Sequence, residues 1–186
     1  MPDLHHPIPT REKVLIIGAG PAGLAAAAAL KALEVPFDLV DRAPHVGGIW
    51  DPEREDSPVW PTMEMISSRE HTQYEDMLQP VSFPEFLSPA QMAKYLRAYA
   101  SRHDLTEHFR PRTAMRSARP FEEGVWEVEL STGEVGLYRA IVSAHGISEH
   151  PHLPDWAAEV PSSVRVIHAR DWDGADGLEG QRVLVV

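Results

Sequence analysis

Apolar residues gather into short blocks along the chain, and the spacing inside each block changes from one segment to the next. Val14 to Ile17 are four apolar residues in succession, the pattern of a strand buried on both faces. From Pro21 the chain turns helical in composition, and the alanines Ala25 to Ala29 are small enough for a helix to lie close against a sheet. Pro36 to Asp41, PFDLVD, reads as a second short strand that ends on a carboxylate. Between Ala43 and Pro89 prolines recur and periodicity is lost, which predicts a long excursion over one end of the sheet with only short helical turns. Ser88-Pro89 then opens an amphipathic helix that ends near His103, with Ser88 as cap and Pro89 in the first turn. Its face of Met92, Tyr95, Leu96 and Tyr99 is that of a core helix, not of a cofactor contact.

Beyond this helix the period becomes two. A strand follows Thr113. Val125 to Leu130 and Val135 to Tyr138 flank the polar turn Ser131 to Glu134 and predict a hairpin. Ala140 to Ala144 is a further buried strand that runs into His145-Gly146. Val183 to Val186 are four apolar residues that predict the start of a central parallel strand. The fold class expected is α/β: a Rossmann-like domain with a parallel sheet, helices and a β-hairpin layer.

Composition narrows the function classes. The 186 residues are 43% hydrophobic, enough for one proper core. A formal charge of -11, from 28 acidic against 17 basic residues, argues against nucleic acid or an anionic membrane as the main partner. Cysteine is absent, which removes disulfides, thiolate metal sites and redox-active cysteine pairs, and with them the thioredoxin-reductase type of flavoenzyme. The apolar stretch Val14 to Leu30 is short for a membrane span and is broken by GAGPAG. Residues 1–12 contain three prolines and no continuous apolar run, so an extended arm and a cytoplasmic location are expected. There is no G-x-S-x-G elbow and no H-E-x-x-H motif. His5-His6 and the pair His150 and His152 are read as surface residues, and no metal is expected. The run Asp51 to Asp56, DPERED, reads as a solvated loop.

The chemistry concentrates after the first strand. Gly18, Gly20 and Gly23 form G-x-G-x-x-G within Gly18-Ala19-Gly20-Pro21-Ala22-Gly23. The first glycine permits a sharp turn, the second lets backbone approach a diphosphate, and the third lets helix and strand pack closely. A helix starting near Pro21 aims free N–H groups and its positive dipole end at an anion. Asp41 stands eighteen residues beyond Gly23, where an acid can accept hydrogen bonds from both ribose hydroxyls and repel a 2'-phosphate. The first nucleotide is therefore FAD or NAD and not NADP. The bland alternative is an ordinary strand, glycine turn and helix with Asp41 a solvated strand end.

The order GAGPAGLA, VDRAPHVGGIWD, SPAQMAKYLRAYASRHDL, IVSAHGISEHPHLPDW resembles the N-terminal half of the flavin-containing monooxygenases and the related Baeyer-Villiger monooxygenases. The resemblance implies that Gly18, Gly20 and Gly23 hold the FAD diphosphate, that Asp41 binds the adenosine ribose, and that Gly48, Ile49 and Trp50 line the flavin side. Trp50 is either a flat wall beside the cofactor or a plain core residue, and Arg42 either lies over the adenine or is solvated. Met115 matches a position whose backbone meets adenine. The family oxidises NADPH, forms a C4a-peroxyflavin and oxygenates a small organic substrate.

Three departures accompany these matches. Ile66 stands where the family carries an asparagine near the flavin, and it cannot donate a hydrogen bond. His145 replaces the threonine of an alanine-threonine-glycine, as a flavin neighbour or a structural histidine. Near the crossover, His168 and Trp172-Asp173 fit the Baeyer-Villiger pattern, but Ser162 and Val164 replace its phenylalanine and glycine. The expected organisation is an arm over 1–12, an FAD-binding domain over 13–150, and over 151–186 a crossover segment with the first strand of an incomplete NADP-binding domain. No second G-x-G-x-x-G follows Arg182, so the FAD half alone is expected, with NADPH bound in the complete enzyme. The alternatives are a non-catalytic FAD-binding module or a degenerate scaffold, and an NAD-dependent dehydrogenase domain.

Overall fold

A computed structural model of the chain describes residues 10–122, 124–147, 150–172 and 174–186. Residues 1–9, most of the expected arm, lie outside the described residues, and Thr10–Glu12 form a 3-10 turn. Strand β1 (Val14–Ile17) leads into helix α1 (Pro21–Ala32), then strand β2 (Phe37–Val40). The excursion that follows holds two 3-10 turns, Gly48–Trp50 and Arg69–His71, as its aperiodic sequence implies. Helix α2 (Pro89–Arg102) is closed at its start by a capping box in which Ser88 accepts from the Gln91 N–H and the Gln91 side chain reaches back to the Ser88 N–H.

Five further strands follow, β3 (Phe109–Arg110), β4 (Met115–Glu122), β5 (Val125–Leu130), β6 (Val135–Tyr138) and β7 (Ala140–Ser143), with 3-10 turns at Thr106–His108, Asp155–Glu159 and Ala169–Asp171. A four-stranded parallel sheet has the order β3-β2-β1-β7, and β4, β5 and β6 form a separate antiparallel meander. The expected hairpin is thus two strands of a three-stranded layer.

Alternation along the central strands builds the layers. Val14, Ile16, Phe37 and Leu39 face Leu24, Ala27 and Ala28 of α1 and Met92, Leu96 and Tyr99 of α2 in one core. Leu15 and Val40 face the other way and pack on Val128, Leu130 and Tyr138 of the meander. Each central strand is therefore covered on both faces, which is why it reads as a continuous apolar run. Asp38 is the polar exception. It faces the meander, where it accepts from the Lys13 ammonium at 2.8 Å and the Tyr138 hydroxyl at 3.1 Å. Burial first, and the Asp38 charge second, hold the Tyr138 hydroxyl protonated far above its ordinary range. Tyr138→Phe is expected to cost about 1 to 2 kcal/mol in urea unfolding, because it removes a hydrogen bond to a charged acceptor between two layers.

Residues 182–186 form no strand, and Val183, Leu184, Val185 and Val186 are exposed. An apolar strand needs neighbours to satisfy its backbone and layers to cover its faces, and the described residues place none around this segment.

Candidate functional site

The carboxyl ends of β1 and β7 and the mouth of α1 converge on one cavity of about 580 Å³. At the end of β1, Gly18 adopts φ +101° and donates to the Val40 carbonyl at 2.8 Å. A methyl group on Gly18 would lie 2.4 Å from the Ala144 carbonyl oxygen, and one on Gly23 only 1.8 Å from the Gly18 oxygen. The two glycines thus let β1, α1 and the end of β7 meet backbone to backbone. Gly20 caps α1 without a side chain, so the first N–H groups of the helix face the cavity mouth unobstructed.

A second glycine turn sits on the first. Gly47 donates to the Ala19 carbonyl at 2.9 Å, and Gly48, at φ +61°, approaches so closely that a Cβ there would come within 2.8 Å of the Gly20 Cα. Ile49 and Trp50 follow it along the cavity wall. Trp50 also packs on the helix-side core, so it lines the cavity and belongs to the packed interior at once.

Asp41 leaves β2 directly beneath this turn. Its Oδ2 accepts from the Ala19 N–H at 2.7 Å and its Oδ1 from the Ala43 N–H at 2.9 Å. The residue is buried yet lines the cavity, so the reading of a solvated strand end is excluded. Each carboxylate oxygen retains a second acceptor position for a hydroxyl.

The cavity rim carries charges that the sequence did not assign. Asp56 accepts from Arg54 at 2.7 Å, pairs with Arg42 at 2.6 Å, and lies 3.7 Å from Arg170, which also donates to the Asp56 carbonyl at 3.4 Å. Arg42 is therefore neither simply solvated nor free, but ion-paired. DPERED is likewise not a solvated loop: Asp51 is fully buried, and the arginine pairs hold Arg54 and Asp56 half in the structure. The hydrogen bond from Arg54, helped by the charges of Arg54 and Arg42 and opposed by partial burial, holds Asp56 below the ordinary aspartate range. A depressed carboxylate contributes stability that is complete above the unfolded value and is lost as pH falls through the folded one. A carboxyl NMR titration is expected to show Asp56 titrating below an unperturbed aspartate, and Arg54→Ala should return it upward.

Of the residues singled out in the sequence, Gly18, Gly20, Pro21, Ala22, Asp41, Arg42, Gly48, Ile49 and Trp50 line the cavity. Ala19 and Gly23 shape it from behind through the contacts above. Met115 lies apart, opposite Leu130 in the meander and packed on its core. His145 lines the rim, whereas Ile66 is 98% exposed and lies away from the cavity. Arg54, Asp56, Pro58, Ser143, Ile147 and Arg170 were missed. Only Ser143 and Ile147 could have been found, since they flank the His145-Gly146 turn. His5-His6 lie outside the described residues, and His150 and His152 are exposed. His45, Asp51 and Glu53 place ligand atoms within 4.8 Å of one another, but the Arg97 guanidinium already lies 2.8 Å from Asp51 and 3.8 Å from Glu53.

Residues 11–186 match the family described as flavin-binding monooxygenase-like. The chain belongs to this family. It is 32% identical over 181 residues to the probable indole-3-pyruvate monooxygenase YUCCA8 of Arabidopsis thaliana, covering 92% of this chain and 41% of that protein. It is 24% identical over 190 residues to human flavin-containing monooxygenase 5, covering 95% and 36%. Among solved structures, cyclohexanone monooxygenase from Rhodococcus sp. Phi1 bound to NADP+ superposes with a TM-score of 0.69 at 27% identity, over 80% of this chain and 28% of that one. The chain of this family member thus spans about two fifths of the length of the curated plant relatives it matches. Its α/β fold with a parallel sheet corresponds to the N-terminal Rossmann-like domain of flavin monooxygenases. No helix among the described residues is long and apolar enough to cross a membrane.

Proposed function

We propose that this chain is the FAD-binding portion of an NADPH-dependent flavoprotein monooxygenase acting on a small organic substrate in the cytoplasm. The observation that carries the proposal is the cavity at the mouth of α1, where a side-chain-free helix start, a buried carboxylate and a second glycine turn converge on an open space. The residues fit the cofactor. The N–H groups after Gly20 suit a diphosphate, Asp41 suits two ribose hydroxyls, and Gly48, Ile49 and Trp50 offer backbone donors and a flat apolar wall to an isoalloxazine ring. Arg42, steadied by Asp56, would stand at the adenosine end. Bound FAD supplies the electron and oxygen transfer, while the protein binds, orients and shields it. NADP binding in the complete enzyme is supported by relatives whose structures hold NADP.

Adding FAD to the purified chain is expected to give a yellow protein that retains flavin through gel filtration. A protein that stays colourless in excess FAD overturns the proposal. Ile66 favours a second reading, an FAD-binding module without oxygenase activity, because an exposed isoleucine away from the cavity provides no hydrogen bond to a flavin. Flavin uptake by the complete gene product without NADPH oxidation would select that reading.

A further inference from the structure

We propose that Asp51 and Arg97 form a positioning pair that fixes the Gly47–Trp50 turn against the phosphate-binding turn, and so sets the flavin-side wall of the cavity. The inference rests on the FAD reading for its ligand, although the pair itself can be tested without one. Asp51 closes the turn: its N–H donates to the Gly48 carbonyl at 3.2 Å, one step after Trp50 donates to Gly47 at 3.2 Å. Its side chain is 0% exposed, and Oδ1 accepts from Arg97 at 2.8 Å and from the Glu53 N–H at 3.2 Å.

Arg97 projects from α2, a helix held by its capping box and by the burial of Met92, Tyr95, Leu96 and Tyr99. The pair therefore ties an otherwise aperiodic loop to a rigid element. The loop in turn rests on Gly20 through Gly48 and on Ala19 through Gly47. Neither Asp51 nor Arg97 lines the cavity, so any effect on a ligand must pass through the turn.

Removing a carboxylate from water costs several kcal/mol unless it is paired, so an acid at this position is poorly explained by packing alone. Arg97 reaches in from a partly exposed position to pair the buried acid, and setting register is the best-attested use of an ion pair with a buried member. His45 Nδ1 and Glu53 close the remaining side, with Nδ1 3.7 Å from Asp51 Oδ2 and 3.5 Å from Glu53 Oε1. With a guanidinium already bonded to Asp51, the cluster acts as a clasp and not as a cation site.

The test compares FAD with ADP, which lacks the flavin half and needs only the first glycine turn and Asp41. Calorimetric titration of the original chain, Asp51→Asn, Arg97→Gln and the double variant is expected to show FAD weakened about tenfold in each single variant and no further in the double, with ADP changed by less than about twofold. Equal losses for FAD and ADP, or no loss for FAD, overturn the positioning role. Hydrogen exchange without ligand provides the second measurement. In Asp51→Asn the Trp50 and Asp51-position amides should exchange about tenfold faster while those of Leu15 and Ile16 keep their protection. Unchanged exchange at the turn overturns the pair whether or not FAD binds. Failure of the original chain to bind FAD, with the turn loosened as expected, overturns the functional reading and leaves the clasp in place.

Discussion

Gly23→Ala is expected to lower the melting temperature by about 6 to 12 °C, corresponding to about 3 kcal/mol of overpacking that nothing nearby can absorb. The added methyl would sit 1.8 Å from the Gly18 carbonyl oxygen, and both partners are backbone. Gly18 cannot retreat, because its N–H is bonded to Val40 and its own Cα side already abuts the Ala144 carbonyl. Either α1 lifts from the sheet and exposes Leu24 and Ala27, or β1 shifts against β7. Gly20→Ala is the informative contrast. Its backbone is at φ -77°, ordinary for any residue, and a methyl there meets Gly48 Cα at 3.5 Å, ordinary contact. Gly20→Ala should therefore melt within about 2 °C of the original chain while losing FAD, since the methyl intrudes where a diphosphate would approach. Differential scanning calorimetry with FAD titration separates the two. If Gly23→Ala melts unchanged, the close approach of α1 to β1 is not what holds this corner together.

The contrast between these glycines explains what was legible in the sequence. Strand, glycine turn, helix and acid all lie between Val14 and Asp41, so their spatial relation follows from local geometry and their spacing carries it. The same holds for α2, whose apolar face and Ser88 cap are written within a few turns of one helix. The rim was not legible. Asp56 and Arg170 are 114 positions apart, and they meet only because a proline-rich loop and the crossover segment fold back to the same edge. DPERED looks like a solvated run because charge is counted along the chain, whereas burial of Asp51 depends on Arg97 arriving from a helix 46 residues later. β3 is two residues long and exists through its partner β2, below the length at which any periodicity can show. Val183 to Val186 are exposed, and an apolar run becomes a strand only where other strands and helices surround it.

Asp41→Ala should act on stability and on ligand at once, and the two effects can be separated. The substitution leaves the Ala19 and Ala43 N–H groups buried without their acceptor, and each such loss costs about 1 to 3 kcal/mol. Unfolding by urea should therefore report a loss of about 2 kcal/mol or more even with no nucleotide present. FAD affinity should fall by a further amount equivalent to about 1 to 3 kcal/mol, through lost charge-assisted hydrogen bonds to the ribose. Asp41→Asn is no gentle substitute, because its amide nitrogen would face one of the two backbone donors. The readout specific to the ribose is discrimination between ADP and its 2'-phosphorylated form. The carboxylate repels a 2'-phosphate in the original chain, so a strong preference for ADP should collapse toward parity in Asp41→Ala while the diphosphate contacts of Gly18 to Gly23 stay in place. A variant that is less stable but keeps both its FAD affinity and its preference for ADP would make the carboxylate a cap for two amides only, and would move the ribose to Arg42 and the rim around Asp56.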